Sequence, residues 1–211
     1  MEIVNKNKMY FANEASRQRY ILKHNLKGEQ IPKQLETLQP NSSITFIDIT
    51  TVDKPQKYLQ EIKKLLDKNG VKWFVAFGTA LGFYRDKDII KGDSDFDIVV
   101  LADGRDLSFI DDFPYRVIRT VNSDKPYQKC FQSEDNVIID ICFFYREGDE
   151  YYTKTPQGQF RDKVSVIGDL QAIRTKYGTF PFPEKMPEYL TTRYGDWKTP
   201  KYGALSSSIK Q

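Results

Sequence analysis

Three aspartates alternate with other residues in Gly92-Asp93-Ser94-Asp95-Phe96-Asp97-Ile98-Val99-Val100. The apolar, β-branched run after Asp97 predicts a buried strand with Asp95 and Asp97 at its entrance. Side chains two apart on a strand share a face, so these carboxylates converge on one spot, joined by Asp93 if extended backbone starts that early. Unneutralised carboxylates this close repel one another, and burial sharpens the repulsion. A hard divalent cation, Mg²⁺ or Mn²⁺, resolves the conflict, because both ions prefer oxygen ligands. Upstream, Phe77-Gly78-Thr79-Ala80-Leu81-Gly82-Phe83-Tyr84-Arg85 reads as the end of a strand over 71–77, a glycine break and a short helix. Glycine there lets backbone N–H groups approach a ligand, a helix N-terminus favours anions, and Thr79 supplies a cap or a hydroxyl. An anion cradle ahead of a carboxylate pair, with Arg85 and Lys91 between them, is equipment for moving a phosphoryl group.

A further acid stands alone in the apolar run Val137-Ile138-Ile139-Asp140-Ile141-Cys142-Phe143-Phe144. A charge in such a strand costs several kcal/mol, roughly the buried-ion penalty, unless a cation compensates it. Asp140 is therefore expected to complete the metal site with Asp95 and Asp97.

The combination of Gly-Thr, Asp-x-Asp and a lone Asp on a later hydrophobic strand resembles the nucleotidyltransferase superfamily. Within it, Gly78 to Arg85 followed by Ile90-Lys91-Gly92-Asp93-Ser94-Asp95-Phe96-Asp97-Ile98 is similar to the LicD or fukutin-related family. Pro187-Glu188-Tyr189-Leu190-Thr191-Thr192-Arg193-Tyr194-Gly195-Asp196-Trp197, with Pro200, resembles that family's closing Tyr-Leu and Tyr-Gly segment. The resemblance covers about 55–202. It departs at Lys91-Gly92, where the family often has Pro-Trp, and at Ser94, which replaces a frequent aspartate.

The resemblance implies an α+β fold: a nucleotidyltransferase-like mixed β-sheet with helices packed mainly on one face, and Asp140 beside Asp95 and Asp97. It implies metal-dependent transfer of a phospho-alcohol, such as phosphocholine or a polyol phosphate, from a CDP-activated donor to a hydroxyl of a glycan or glycolipid acceptor. The wider superfamily instead moves a nucleoside monophosphate from a triphosphate and releases pyrophosphate; a non-catalytic nucleotide- or glycan-binding module is a third reading. In the favoured reading Asp95, Asp97 and Asp140 hold the metal, and Asp140 or Asp93 takes the acceptor's proton, since the one histidine, His24, lies far from the motifs. Gly78 and Thr79 cradle phosphate, and Arg85 stabilises developing charge. Lys91 in its loop, with Tyr194 and Trp197, walls the pocket that binds the donor or acceptor.

The elements that must position these residues are set by periodicity and punctuation. The clearest helix is 55–69, with Tyr58, Leu59, Ile62, Leu65 and Leu66 at helical spacing, Asp53 ahead of Pro55 and Gly70 as a stop. Strands are expected over 115–121, 127–132 and 137–145 as an antiparallel meander, with 151–155 as a hairpin partner. One helical turn is expected over 107–113, a helix over 187–194 ended by Gly195, an edge strand over 44–49 and a weak helix over 13–24. Residues 170–177 and 179–180 bracket Gly178, and Pro181 and Pro183 stiffen the segment ahead of the last helix. The domain reading is 1–52 as an extension packed on the core, 53–202 as the catalytic domain and 203–211 as a flexible tail.

At 211 residues with 39% apolar and 14% aromatic content, the chain reads as one globular domain. A net charge of +3 without clustered basic stripes does not call for nucleic acid. No apolar run approaches the roughly 20 residues that span a bilayer, and the first residues lack the apolar core of a signal peptide. A cytoplasmic protein is expected, with peripheral membrane or acceptor contact left to its basic first 45 residues. Cys130 and Cys142 read as reduced core thiols.

Overall fold

The computed structural model describes residues 45–122, 125–155 and 158–200, together with strands β1 (Met9–Phe11) and β2 (Leu35–Thr37), which pair in parallel. The weak helix expected over 13–24 and the tail over 203–211 lie outside the described residues. Among the described residues no helix is long and apolar enough to cross a membrane.

Helix α1 (Gln56–Lys68) forms where the apolar period requires it and buries Tyr58, Leu59, Ile62 and Leu66. Gly70, at φ +62, ends it and donates its N–H to Asp67 O at 3.0 Å. Then come β3 (Lys72–Val75), α2 (Phe77–Leu81), a π-helical turn (Gly82–Asp86) and β4 (Asp95–Leu101). A 3-10 turn (Ser108–Asp112) leads into β5 (Arg116–Asn122), β6 (Pro126–Gln132), β7 (Ile138–Glu147), β8 (Glu150–Thr155) and β9 (Gly158–Lys163). The chain continues through α3 (Val164–Ile167), the hairpin of β10 (Leu170–Thr175) and β11 (Gly178–Pro183), and α4 (Met186–Tyr194).

The main sheet has seven strands, ordered β3-β4-β7-β6-β5, with β8 continuing from β7 and β9 beside it. Only β4 and β7 run parallel; the other pairings are antiparallel. This is the expected α+β mixed sheet, with the meander and the β7–β8 hairpin in their expected places. From Ile138 to Phe144, β7 is buried throughout, as a continuous apolar run at the centre of a sheet must be.

The two faces carry different loads. Asp97, Val99, Asp140, Cys142 and Phe144 share one face through the β4–β7 register. On β3, Phe74 belongs to that face and meets Tyr189 of α4 edge-on at 5.8 Å. Trp73 points the other way and donates its indole N–H to Asp67 of α1 at 2.9 Å. In β5 a register shift lies between Val117 and Arg119, so Val117 opposes Phe131 and Arg119 opposes Cys130. The extra residue is a β-bulge, so Val117 and Arg119, two positions apart, point to opposite faces and Arg119 lies on the carboxylate side.

Two local expectations are corrected. The strand expected over 71–77 stops at Val75, and Phe77 opens α2 with a positive φ of 42°. The edge strand expected over 44–49 is absent among its described residues: 45–48 have no regular structure and Ile49 begins a 3-10 turn. Asp48 explains the second, because its carboxylate takes the Thr50 N–H at 2.9 Å and the Thr50 hydroxyl at 2.6 Å. Such local bonds compete with a strand ladder.

The π-helical turn docks on the β10–β11 hairpin through Phe83, stacked on Tyr177 and Phe180 at 5.4 and 6.1 Å. Gly82 begins that turn with ordinary helical angles, so its constraint is space: a Cβ would stand 2.6 Å from Asp88 O and 3.0 Å from Ile90 Cγ1. Because the first of these is backbone, Gly82→Ala is expected to lose about 1–3 kcal/mol, the usual cost of overpacking, measured as a lower urea midpoint at unchanged slope.

Candidate active site

The parallel register sets Asp97 opposite Asp140 and Asp95 opposite Ile138. Carboxylate oxygens of Asp95, Asp97 and Asp140 all lie within 4.8 Å of one another. Asp93 borders the same space: a Cβ on Gly78 would stand 3.2 Å from Asp93 Oδ2 and 3.3 Å from Asp97 Oδ2. Asp93 and Asp95 also share a hydrogen bond.

The turn after β3 is built around Asp97. Ala76 N–H donates to Asp97 O at 3.0 Å. Asp97 N–H donates to Thr79 Oγ1 at 2.8 Å, and Gly78 N–H donates to Asp97 Oδ2 at 2.9 Å. This geometry requires the left-handed backbone at Phe77, which costs a residue with a Cβ about 1–2 kcal/mol. From the other side, Ile49 N–H donates to Asp93 O at 2.8 Å, so the segment before α1 fixes the acidic loop.

Crowding shows in the acidities. Burial raises the Asp95 carboxyl to about 7, with Asp140 and Asp93 adding to it, and raises Asp93 to about 6. Asp97 is pushed well above the usual range by burial and then by the charges of Asp95, Asp93 and Asp140. Three oxygen-donor side chains that resist ionisation together form a donor set suited to a hard cation.

Asp140 departs from expectation. The apolar strand around it implies no compensation inside the protein, but Arg119 Nη2 donates to its Oδ2 at 3.0 Å. Gln128 Nε2 reaches both oxygens at 2.8 and 2.7 Å, and the Cys130 thiol donates to Oδ1 at 3.0 Å. Burial pushes the Cys130 and Cys142 thiols well up, and both are free and buried, as their apolar strands implied. Arg119 and Gln128 escaped the sequence reading. Gln128 lies two residues before Cys130 and so on its face, a faint signal; Arg119 is masked because the bulge breaks its alternation with Val117.

Other expected residues lie around this centre. Burial pushes the Tyr194 phenol well up, and the charge of Asp97 adds to it. Arg85 forms a two-pronged pair with Asp86, both contacts at 2.7 Å, and donates Nη1 to Trp197 O at 3.3 Å. The Trp197 ring meets Tyr84 at 5.7 Å, and its indole N–H donates to Thr191 Oγ1 at 3.2 Å. Lys91 is exposed on its loop. Thus Asp93, Asp95, Asp97, Asp140, Gly78, Thr79 and Tyr194 gather at the carboxylates, while Arg85 and Trp197 join each other.

Residues 70–185 match the family model described as LicD/FKTN/FKRP, nucleotidyltransferase domain. The chain is 26% identical over 177 residues to the ribitol-5-phosphate transferase FKTN of Macaca fascicularis, covering 74% of this chain and 37% of that protein. The FKTN of Homo sapiens is 25% identical with the same coverage. The chain therefore spans little more than a third of the length of these relatives. Among solved structures, a lincomycin-bound lincosamide antibiotic adenylyltransferase, LnuA, aligns with TM-score 0.44 and 16% identity over 64% of this chain and 83% of that one. The antibiotic-resistance factor ANT(2'')-Ia aligns with TM-score 0.39 and 12% identity over 74% and 79%.

The acids divide into two classes by stability. Asp140→Ala strands Arg119, Gln128 and Cys130 and is expected to destabilise the metal-free protein by about 2–3 kcal/mol, less than a fully buried pair because Arg119 is partly exposed. Asp97→Asn keeps an acceptor for Gly78 N–H and removes a repelling charge, so its metal-free stability should equal or exceed the parent's. Because the Asp97 carboxyl is raised in the fold above its ordinary 3.8, its ionisation opposes folding once pH exceeds that value. The melting-temperature gap between Asp97→Asn and parent should therefore widen as pH rises from about 4 to about 7, and Mg²⁺ should narrow it.

Proposed function

The chain belongs to the LicD/FKTN/FKRP nucleotidyltransferase-domain family, and on that premise we propose that it is a metal-dependent phosphotransferase. It moves a phospho-alcohol from a CDP-activated donor to a hydroxyl of a glycan or glycolipid. The observation that carries this reading is the convergence of Asp95, Asp97 and Asp140 within 4.8 Å, beside a glycine turn that leaves room for a ligand. The curated relatives named for ribitol-5-phosphate transfer support a polyol phosphate as the transferred group.

Asp95 and Asp97 are the primary ligands for Mg²⁺ or Mn²⁺, with Asp140 as the third. When bound, the cation neutralises charge on the diphosphate and the leaving nucleotide. Asp93 suits the role of general base better than Asp140 does. Its carboxyl sits at about 6, close enough to neutral pH to accept a hydroxyl proton, whereas both oxygens of Asp140 already serve Arg119 and Gln128. Thr79 turns an oxygen toward Asp97 N–H and keeps its own proton for a phosphate oxygen. Lys91, exposed on its loop, supplies positive charge on the donor side; Arg85, paired with Asp86, braces Trp197 through its carbonyl, and Tyr194 and Trp197 wall the pocket.

Phosphorus NMR of the protein with CDP-ribitol, CDP-choline or a nucleoside triphosphate, Mg²⁺ and a glycan acceptor tests the reading. Cytidine monophosphate and a new phosphodiester are expected, with turnover lowered at least about 100-fold in Asp93→Asn, Asp95→Asn and Asp97→Asn. Pyrophosphate accumulating from a triphosphate, with no nucleoside monophosphate, would instead establish nucleotidyl transfer by the same acids.

A further inference from the structure

Against the Phe77 ring lies an ion pair that the proposed chemistry does not use. Arg193 of α4 pairs with Asp162 of β9, and their side chains are 7% and 0% exposed. The guanidinium carbon lies 4.9 Å from the centre of the Phe77 ring, 5.0 Å from Phe160, 5.5 Å from Tyr189 and 5.9 Å from Phe144. Phe77 itself meets Phe160 and Phe144 edge-on at 5.5 and 6.5 Å. Arg193 Nε and Asp162 Oδ1 have no hydrogen-bond partner. A buried pair left half-satisfied in this way is a poor source of stability.

What the pair touches is the one strained residue of the site turn. Phe77 holds φ at +42°, a backbone state that a side chain with a Cβ disfavours. Its N–H donates to Tyr189 Oη at 3.3 Å, and Tyr189 belongs to the same cage around Arg193. The next N–H along, that of Gly78, is the one aimed at Asp97 Oδ2.

We propose that the Arg193–Asp162 pair is a positioning device: the caged guanidinium holds Phe77 in its left-handed conformation, which keeps Gly78 N–H on Asp97 and orients that carboxylate toward Asp95 and Asp140. Arg193 touches no reacting group and acts through Phe77 and Gly78. The inference rests on the reading of these acids as cation ligands. Without the clamp, the backbone at 77 relaxes toward negative φ and the Gly78 N–H turns away.

Mn²⁺ binding, followed by the electron paramagnetic resonance of the free ion, tests this without any substrate. Arg193→Met alone strands Asp162, so the variant is Arg193→Met combined with Asp162→Leu, which leaves neither member of the pair as an uncompensated charge. It should keep the parent's circular dichroism and bind Mn²⁺ at least tenfold more weakly, with a shifted Gly78 amide resonance in the metal-free protein. Phe77→Gly makes positive φ accessible without help, so in that background the same double substitution should cost less than threefold. A folded double variant with parental Mn²⁺ affinity, or a penalty as large in the Phe77→Gly background as in the parent, overturns the clamp and leaves the site reading standing. Absence of Mn²⁺ binding by the parent protein would overturn the site reading and the clamp with it.

Discussion

Mutual repulsion among four aspartates governs the structure around the site. Asp93, Asp95, Asp97 and Asp140 share one end of one sheet face; burial makes Asp95 and Asp97 harder to ionise, and the charges of Asp140 and Asp93 add to it in both. A chain that minimised its own free energy would scatter them. Here hydrogen bonds offset the repulsion instead: Gly78 N–H for Asp97, and Arg119, Gln128 and Cys130 for Asp140. Burial and neighbouring charge thus work against the ionised acids at this site, and a cation bound there would offset both.

Other elements can be ranked by how directly they hold those acids apart and in place. The β4–β7 pairing sets Asp97 and Asp140 side by side, and no adjustment of side chains could replace it. The turn after β3 reaches Asp97 through its amide, its carbonyl and its carboxylate. The segment around Ile49 reaches Asp93 through a backbone hydrogen bond and through the charge of Asp48, which adds to burial in raising the Asp93 carboxyl. Helix α1, the longest, packs against the opposite side of the sheet and contributes rigidity without touching the chemistry.

Much of this was legible in the sequence wherever burial and spacing spoke together. Leu59, Ile62 and Leu66 announce α1, the unbroken run from Val137 to Phe144 announces a central strand, and two acids separated by one residue announce a shared face. What stayed hidden depends on contacts between distant segments. Asp162 reads as an ordinary polar strand residue until Arg193, 31 positions later, comes to lie against it. Residues 45–49 alternate like a strand, yet Asp48 turns its carboxylate to Thr50 and closes a turn. Phe77 looks like the last residue of an apolar strand, and only the need to aim Gly78 N–H at Asp97 explains its backbone. The expectation that Asp140 lacked an internal partner failed for a related reason: alternation in β5 groups Arg119 with Val117, which lies on the face away from the acids.

The bulge in β5 gives the neighbourhood of the candidate site a place where the count of residues can change. Ile118 is the supernumerary residue between Val117 and Arg119, and it is buried in a small apolar cluster with Cys130 and Ile138. Replacing it by another apolar side chain leaves Arg119 facing Asp140. Removing it would make Val117, opposite Phe131, and Arg119, opposite Cys130, consecutive and alternating residues, so the guanidinium would still face Asp140. The strand can therefore lose its extra residue without losing the counter-charge, and a relative lacking it would still carry its arginine opposite Cys130 and beside Asp140.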